Sequence, residues 1–183
     1  IIGAGNKVKN ALSDDLSYAI DQFVLGGGNA LVFVDSNAES DSGMSGMAAA
    51  MGGMMGDTGD SKSSTLEPLF KAWGIEVDSS KVVADAANAL SVGSPSGRAV
   101  RHLGIIGFSE KNFNQDDVVT SSLKTVNFAT AGAIQKIEGA ETNVDTLIHS
   151  SNNSMLMDAE MFAMMSDPSS LYKTFKPTGE EYV

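Results

Sequence analysis

The fold class rests on one short stretch, Ala30-Leu31-Val32-Phe33-Val34-Asp35. Its five apolar residues have the length of a strand and no polar alternation, which is typical of a parallel strand buried on both faces. Upstream, Ser13 and Asp14-Asp15 predict a helix start, and Gly26-Gly27-Gly28 predicts its end. The chain therefore begins with a helix that leads into an apolar strand.

The same alternation of elements continues downstream. A capping-box pattern, Ser64-Thr65-Leu66-Glu67, predicts a helix that Gly74 ends. Strand candidates follow at residues 75–77, 82–84, 99–108, 126–134 and 144–150, and the methionine-rich stretch 155–165 is predicted to be helical. Alternating helices and apolar strands predict an α/β fold, a mostly parallel sheet with helices on both faces.

Composition indicates one folded domain over residues 1–183. The chain has 183 residues, of which 42% are hydrophobic and 19% charged, enough for one proper core. Residues 36–63, rich in Ser, Gly, Asp and Met, predict a long flexible insertion. Because the sequence starts at Ile1 without Met, we expect a fragment of a larger protein, with any membrane segment outside it.

Charge and cysteine content exclude several kinds of chemistry. A net charge of −11 opposes binding to nucleic acid and to anionic membrane surfaces. The absence of Cys excludes disulfides, thiolate nucleophiles and cysteine metal sites. No sequence motif indicates a cofactor, so we expect none.

Polar residues follow two of the predicted strands. Asp35, Ser36 and Asn37 come after the 30–34 strand, and Asp85 follows the strand at 82–84. Ligands of open α/β sheets gather at the carboxyl ends of strands. These four residues are therefore the predicted ligand-binding site, although an aspartate placed like Asp35 more often caps its loop or the next helix than binds a ligand.

Two alternatives assign other chemistry. A hydrolase could assemble a Ser/His/Asp site in space around His102 or His149. A methionine module could bind Cu(I), since thioethers suit that ion. The side chains of this module would share one helix face, although the neighbouring glycines oppose a helix. They belong to Met44, Met47, Met51, Met54 and Met55.

Several stretches, taken in order, resemble one protein family. They are Tyr18 to Gly28 with Leu31 to Asp35, Leu66 to Glu76 with Lys81 to Asp85, Asn112-Phe113-Asn114, Asp117 to Thr120, Asn127-Phe128-Ala129 and Phe175 to Gly179. They are similar to the auxiliary component of uncharacterised ABC transport systems linked to gliding motility (GldG-like). The resemblance implies a three-layer, flavodoxin-like fold, as in class I glutamine amidotransferases. It supplies no catalytic or ligand residues.

The resemblance and the residues together predict a function. We expect a non-catalytic, extracytoplasmic (periplasmic) domain of a protein anchored in the bacterial inner membrane. Its partners would be the permease and ATPase subunits of the same ABC system. It would bind a partner protein or a small, carbohydrate-like ligand through the strand edge and the 36–63 loop.

Overall fold

The computed structural model describes residues 12–36, 66–93, 97–164 and 167–183. Within 12–36 and 66–93, the structure has two helices: α1 spans Asp14–Leu25 and α2 spans Glu67–Ala72. The Ser13 side chain caps α1 by accepting the Leu16 N–H at 3.3 Å. The Trp73 indole N–H then joins the helices by donating to Asp21 Oδ1 at 3.0 Å. Both predicted helices are thus confirmed.

Seven strands in three small sheets follow in the described part of the chain. Their bounds are β1 Ile75–Val77, β2 Lys81–Asp85, β3 Ala89–Gly93, β4 Ala99–Ser109, β5 Thr125–Ala129, β6 Ile134–Lys136 and β7 Ser154–Asp158. Helix α3 spans Ala159–Met164, and 3₁₀ helices span Glu110–Asn112 and Pro168–Lys173. The helix predicted at 155–165 is wrong over its first half, which is β7. The strand predicted at 144–150 is also wrong, since only Ile148 forms a bridge there, with Phe113.

The pairing of these strands contradicts the predicted fold class. Strand β1 pairs with β6, β2 pairs with β7, and β4 lies between β3 and β5. All four pairings are antiparallel. The three-layer, mostly parallel α/β fold, flavodoxin-like or amidotransferase-like, is therefore wrong.

The stretch that suggested a parallel sheet belongs to none of these strands. Residues 30–34 have no assigned secondary structure. The Leu31 and Phe33 side chains remain 83% and 80% exposed, while Val32 and Val34 are half-buried. An apolar run of strand length thus lies outside the sheets among the described residues.

Among the described strands, β2 is one that is buried on both faces. Its alternate residues point to opposite faces and supply two apolar clusters. The first cluster contains Val82, Ala84, Leu103, Met157, Ala159, Phe162 and Leu171. The second contains Val83, Ile106, Phe108, Phe113 and Ala133. Strand β2 therefore separates the two clusters and carries Asp85 at its end.

The connection from β5 to β6 links β4 to β2. The Thr130 N–H donates to the Gly104 carbonyl at 2.7 Å, and the Val83 N–H donates to the Ala131 carbonyl at 2.8 Å. These bonds continue hydrogen bonding across the gap between two sheets.

In the part of the chain described here, no helix has the length and apolar character needed to cross a membrane.

Candidate functional site

Asp85 ends β2 as a fully buried carboxylate. Its Oδ1 accepts the N–H groups of Ala87 and Asn88 at 2.9 and 3.0 Å and the Ser151 hydroxyl at 2.7 Å. Its Oδ2 accepts the Asn88 amide at 2.9 Å and the Ser151 N–H at 2.7 Å. Five donors, all uncharged, therefore surround one carboxylate.

These donors decide the ionisation of Asp85. Burial by itself raises the pKa of the carboxyl, because it penalises the charged form. The hydrogen bonds from Ser151 and Asn88 outweigh burial and hold the pKa below its usual range. Asp85 is therefore an ionised carboxylate that accepts hydrogen bonds from its neighbours. A general acid, by contrast, must carry a proton that it can donate.

Two buried serines, Ser150 and Ser154, extend this group into a polar cluster, defined as Asp85, Asn88, Ser150, Ser151 and Ser154. The Ser150 and Ser154 hydroxyl oxygens lie 3.0 Å apart. Ser154 Oγ also lies 2.6 Å from the Ser151 carbonyl oxygen. The polar cluster therefore joins the end of β2 to the start of β7.

The polar cluster also holds the last described segment, residues 178–183. Ser154 Oγ lies 2.9 Å from the Glu180 carbonyl oxygen, and the Tyr182 N–H donates to Ser150 Oγ at 2.8 Å. The backbone adds two bonds, from Ser150 N–H to the Tyr182 carbonyl at 2.8 Å and from Thr178 N–H to the Ser154 carbonyl at 2.9 Å. The serines of the polar cluster thus connect the end of β2 on one side with residues 178–183 on the other.

Neither histidine completes a Ser/His/Asp site with this cluster. His149 Nδ1 lies 2.9 Å from the Ser150 carbonyl and 3.3 Å from Glu181 Oε2. Among the described residues, no serine hydroxyl lies within hydrogen-bonding distance of its Nε2. His102 Nδ1 accepts the Gly104 N–H at 3.2 Å, whereas a triad histidine must donate from Nδ1 to its carboxylate. Within the described part of the chain, neither histidine is therefore hydrogen-bonded to the Asp85–Ser151 pair.

The predicted ligand site is only partly within the described residues. Ser36 is buried beside Gly132, and its Oγ has no hydrogen-bond partner in the described ranges. Gly132 lies next to Lys81, at the start of β2, whereas Asp85 ends that strand about 13 Å further on. Asp35 is half-buried, and Asn37 lies outside the described residues. Ser36 and Asp85 are thus at opposite ends of β2, and their ligand-binding role stays a prediction.

Two surface hollows lie near the Lys81 end of β2. The first, of about 110 Å³, is lined by Glu76, Asp78, Lys81, Ala133, Gln135 and Leu156. The second, of about 480 Å³, is lined by Ala133, Ile134, Gln135 and residues 180–183. Neither is lined by Asp35, Ser36 or Asp85.

The metal-binding alternative falls on residues that the structure does not describe, since Met44, Met47, Met51, Met54 and Met55 lie between 36 and 66. Within the ranges described, no group of three or more His, Asp or Glu side chains is arranged to hold a metal ion.

Sequence reasoning singled out Asp85 but missed its serine partners. The run Ser150-Ser151-Asn152-Asn153-Ser154 was the available signal, because serine and asparagine side chains readily bond nearby backbone in turns. Ser151 lies 66 positions from Asp85, and no local pattern reports that distance.

Comparison with known families gives a match over residues 7–183, to the family described as an ABC-type uncharacterized transport system. No curated protein and no solved structure matches the chain. The family match confirms the transport-system part of the resemblance and includes the whole polar cluster.

Proposed function

Because the chain belongs to the family of auxiliary components of ABC-type transport systems, we propose that it is a non-catalytic domain that binds other components of its system. The observation that carries this proposal is the family match from residue 7 to residue 183. The bonding of the polar cluster supports the non-catalytic part. Asp85 and the three serines are hydrogen-bonded to one another and to the backbone, and the lowered pKa of Asp85 makes it a weak base for the Ser151 hydroxyl.

The proposed partners are the permease and ATPase subunits of the same transport system. We propose an extracytoplasmic (periplasmic) location on the bacterial inner membrane, with the membrane anchor in segments outside this sequence. A link to gliding motility belongs to the same proposal. The acidic balance supports protein partners over nucleic acid, because a net charge of −11 repels phosphate backbones.

The size of the hollow beside Lys81 favours a partner protein over a small ligand at that place. Small-molecule sites usually enclose about 300–1,000 Å³ and combine apolar walls with a few polar groups. The hollow beside Lys81 has a volume of about 110 Å³, too small for a sugar ring with its hydroxyl contacts, whereas the hollow lined by residues 180–183, at about 480 Å³, has the volume of a small-molecule site. Binding of a carbohydrate-like ligand is the alternative outcome of the experiment.

The experiment is co-purification from membranes. The intact protein, the ATPase and the permease of one system are produced together and extracted in mild detergent. We expect the tagged protein to retain both subunits and to leave the permease of an unrelated ABC system in the flow-through. Loss of the ATPase, of the permease or of both from the purified complex would overturn the proposal. So would turnover of an acyl, phosphoryl or glycosyl substrate that is lost when His149 is replaced by Gln.

A further inference from the structure

One surface loop presents two neighbouring apolar side chains to solvent. Val118 is 88% exposed and Val119 is 61% exposed, and together they form the valine tip. Turns usually place Gly, Asn, Asp or Ser at such positions, because these residues suit turn backbone and bond it. Two β-branched side chains gain nothing from the turn itself, so a contact with another molecule would account for them.

The loop that carries the valine tip is held by its own hydrogen bonds. The Val119 N–H donates to Asp117 Oδ1 at 2.8 Å, and the Asp116 N–H donates to Asn114 Oδ1 at 3.0 Å. Thr120, at 2% exposure, donates its hydroxyl to the Asn114 carbonyl at 2.6 Å. The valine tip is therefore fixed before any partner arrives, which lowers the entropic cost of binding.

Asn114 in turn anchors the loop to the body of the protein. Its N–H donates to the Leu147 carbonyl at 2.9 Å, and its side-chain amide lies 3.4 Å from the Thr146 carbonyl. The preceding residue, Phe113, is buried in the second apolar cluster. The position of the valine tip is thus set by the core and not by the loop alone.

The charged residues next to the valine tip in sequence have one sign. Asp116 and Asp117 immediately precede it, and no Lys or Arg occurs between Asn114 and Ser122. Lys124, the nearest cation after the loop in sequence, is paired with Glu110. The valine tip and the two aspartates before it, Asp116 and Asp117, which we call the acidic collar, together fit an apolar pocket whose rim is basic.

We propose that the valine tip is a docking element that inserts into an apolar pocket, rimmed by Lys or Arg, on another protein of the same transport system. This inference rests on the proposed function, which supplies the class of partner. A second copy of the chain is disfavoured, since each copy has a net charge of −11 and would bring the same acidic collar. An anionic bilayer is disfavoured by the same charges.

The experiment uses the co-purified complex and three sets of variants. In Val118→Ser with Val119→Ser, the apolar surface is lost while the buried anchors Phe113 and Thr120 remain. In Asp116→Asn with Asp117→Asn, the charge is lost while the amide oxygens can still accept the loop N–H groups. Val144→Ser is the matched control, because Val144 is a partly exposed valine outside the loop.

We expect the double serine variant to bind its partner subunit about tenfold more weakly or worse, as for a central apolar contact. The double asparagine variant should bind several-fold more weakly at low salt and equally at high salt, because screening removes the charge effect. The control should bind as the parent does.

Other results overturn this inference in ways that separate it from the proposed function. If the complex forms and the double serine variant binds normally, the docking inference is wrong and the proposed function stands. If the parent retains no subunit, the proposed function itself fails. If the double serine substitution abolishes self-association or binding to zwitterionic vesicles instead, the occupant is a second copy or a lipid surface, and the inference is overturned.

Discussion

Asp85 is the residue whose environment makes the sharpest prediction about stability. In Asp85→Asn, one acceptor oxygen becomes an NH2 group that faces N–H and O–H donors in a buried position. We expect a loss of about 2–3 kcal/mol in the free energy of unfolding, measured by urea denaturation. Asp145→Asn, at an exposed position, is the control and should cost less than about 0.5 kcal/mol. Parental stability together with lost partner binding would instead make Asp85 a binding residue.

The pH dependence of stability follows from the same carboxylate. Its hydrogen bonds hold the pKa of Asp85 below that of an unfolded aspartate, so the folded state binds this proton less tightly. The stabilisation is complete above the unfolded pKa of about 3.9 and is lost as the pH falls through the lower, folded pKa. Between pH 5 and pH 3, urea midpoints should therefore fall more steeply for the parent than for Asp85→Asn. Equal slopes for the two proteins would contradict this account.

At the residue scale, the sequence singled out Asp85 as a candidate ligand-binding residue, whereas the structure shows a buried carboxylate that accepts five hydrogen bonds. Its position after Val82-Val83-Ala84 predicted a strand-end carboxylate, and that placement is confirmed. The five donors were invisible, because the Ser151 pair comes from a distant loop and the Asn88 pair depends on the turn after β2. Local sequence thus located the carboxylate but not its partners.

At the scale of elements, Gly74 closes α2 and allows close approach of another segment. Its φ is +75°, and an added Cβ would lie 2.4 Å from the Ala140 Cβ. Gly74→Ala should therefore combine backbone strain with a steric clash, at about 3 kcal/mol of unfolding free energy. Trp73 fluorescence during denaturation reports the loss directly.

Gly139→Ala separates the two causes. Gly139 has nearly the same φ, +81°, but nothing lies within 4 Å of the position that a Cβ would take. It should cost only the strain, about 1 kcal/mol. If both variants lose the same stability, the close approach of Ala140 is not tight in solution.

Elements that depend on neighbouring residues were predictable, and those that depend on distant pairing were not. Ser13 and Gly74 delimit their helices as expected, because caps act within one turn. The helical reading of residues 155–165 failed at β7, where pairing with β2 overrides the helix preference of methionine. Such a pairing joins residues 69 to 77 positions apart, which a local window does not sample.

At the scale of the whole molecule, the error lay in reading direction from burial. A continuous apolar run indicates a strand covered on both faces, and β2 fits that description, since its alternate residues enter two apolar clusters. Its sheet partner β7 nevertheless runs antiparallel. Two-sided burial and strand direction are separate properties: at β2 the apolar pattern indicated the first only, and at residues 30–34, where Leu31 and Phe33 are exposed, it indicated neither.

The antiparallel topology makes a prediction that cysteine chemistry can test, because the chain has no Cys of its own. Lys81 faces Asp158 across β2 and β7, and Lys81 Nζ lies 2.5 Å from Asp158 Oδ1, so both side chains point to one side. Facing Cα atoms in antiparallel strands lie about 4.5–5.5 Å apart, within the range of disulfides. Lys81→Cys with Asp158→Cys should therefore oxidise readily to an intramolecular disulfide.

The control pairs Lys81→Cys with Thr178→Cys. Thr178 bonds to Ser154, which faces Asp85 at the far end of β2, so these cysteines are separated by about four strand residues, or roughly 13 Å. This pair should stay reduced under the same mild oxidant, as judged by thiol titration and by mobility on a non-reducing gel. A parallel β2–β7 pair would place Lys81 near the start of β7 and reverse the two outcomes. That reversal would make the β2–β7 pair parallel and remove the basis for the polar cluster at the end of β2.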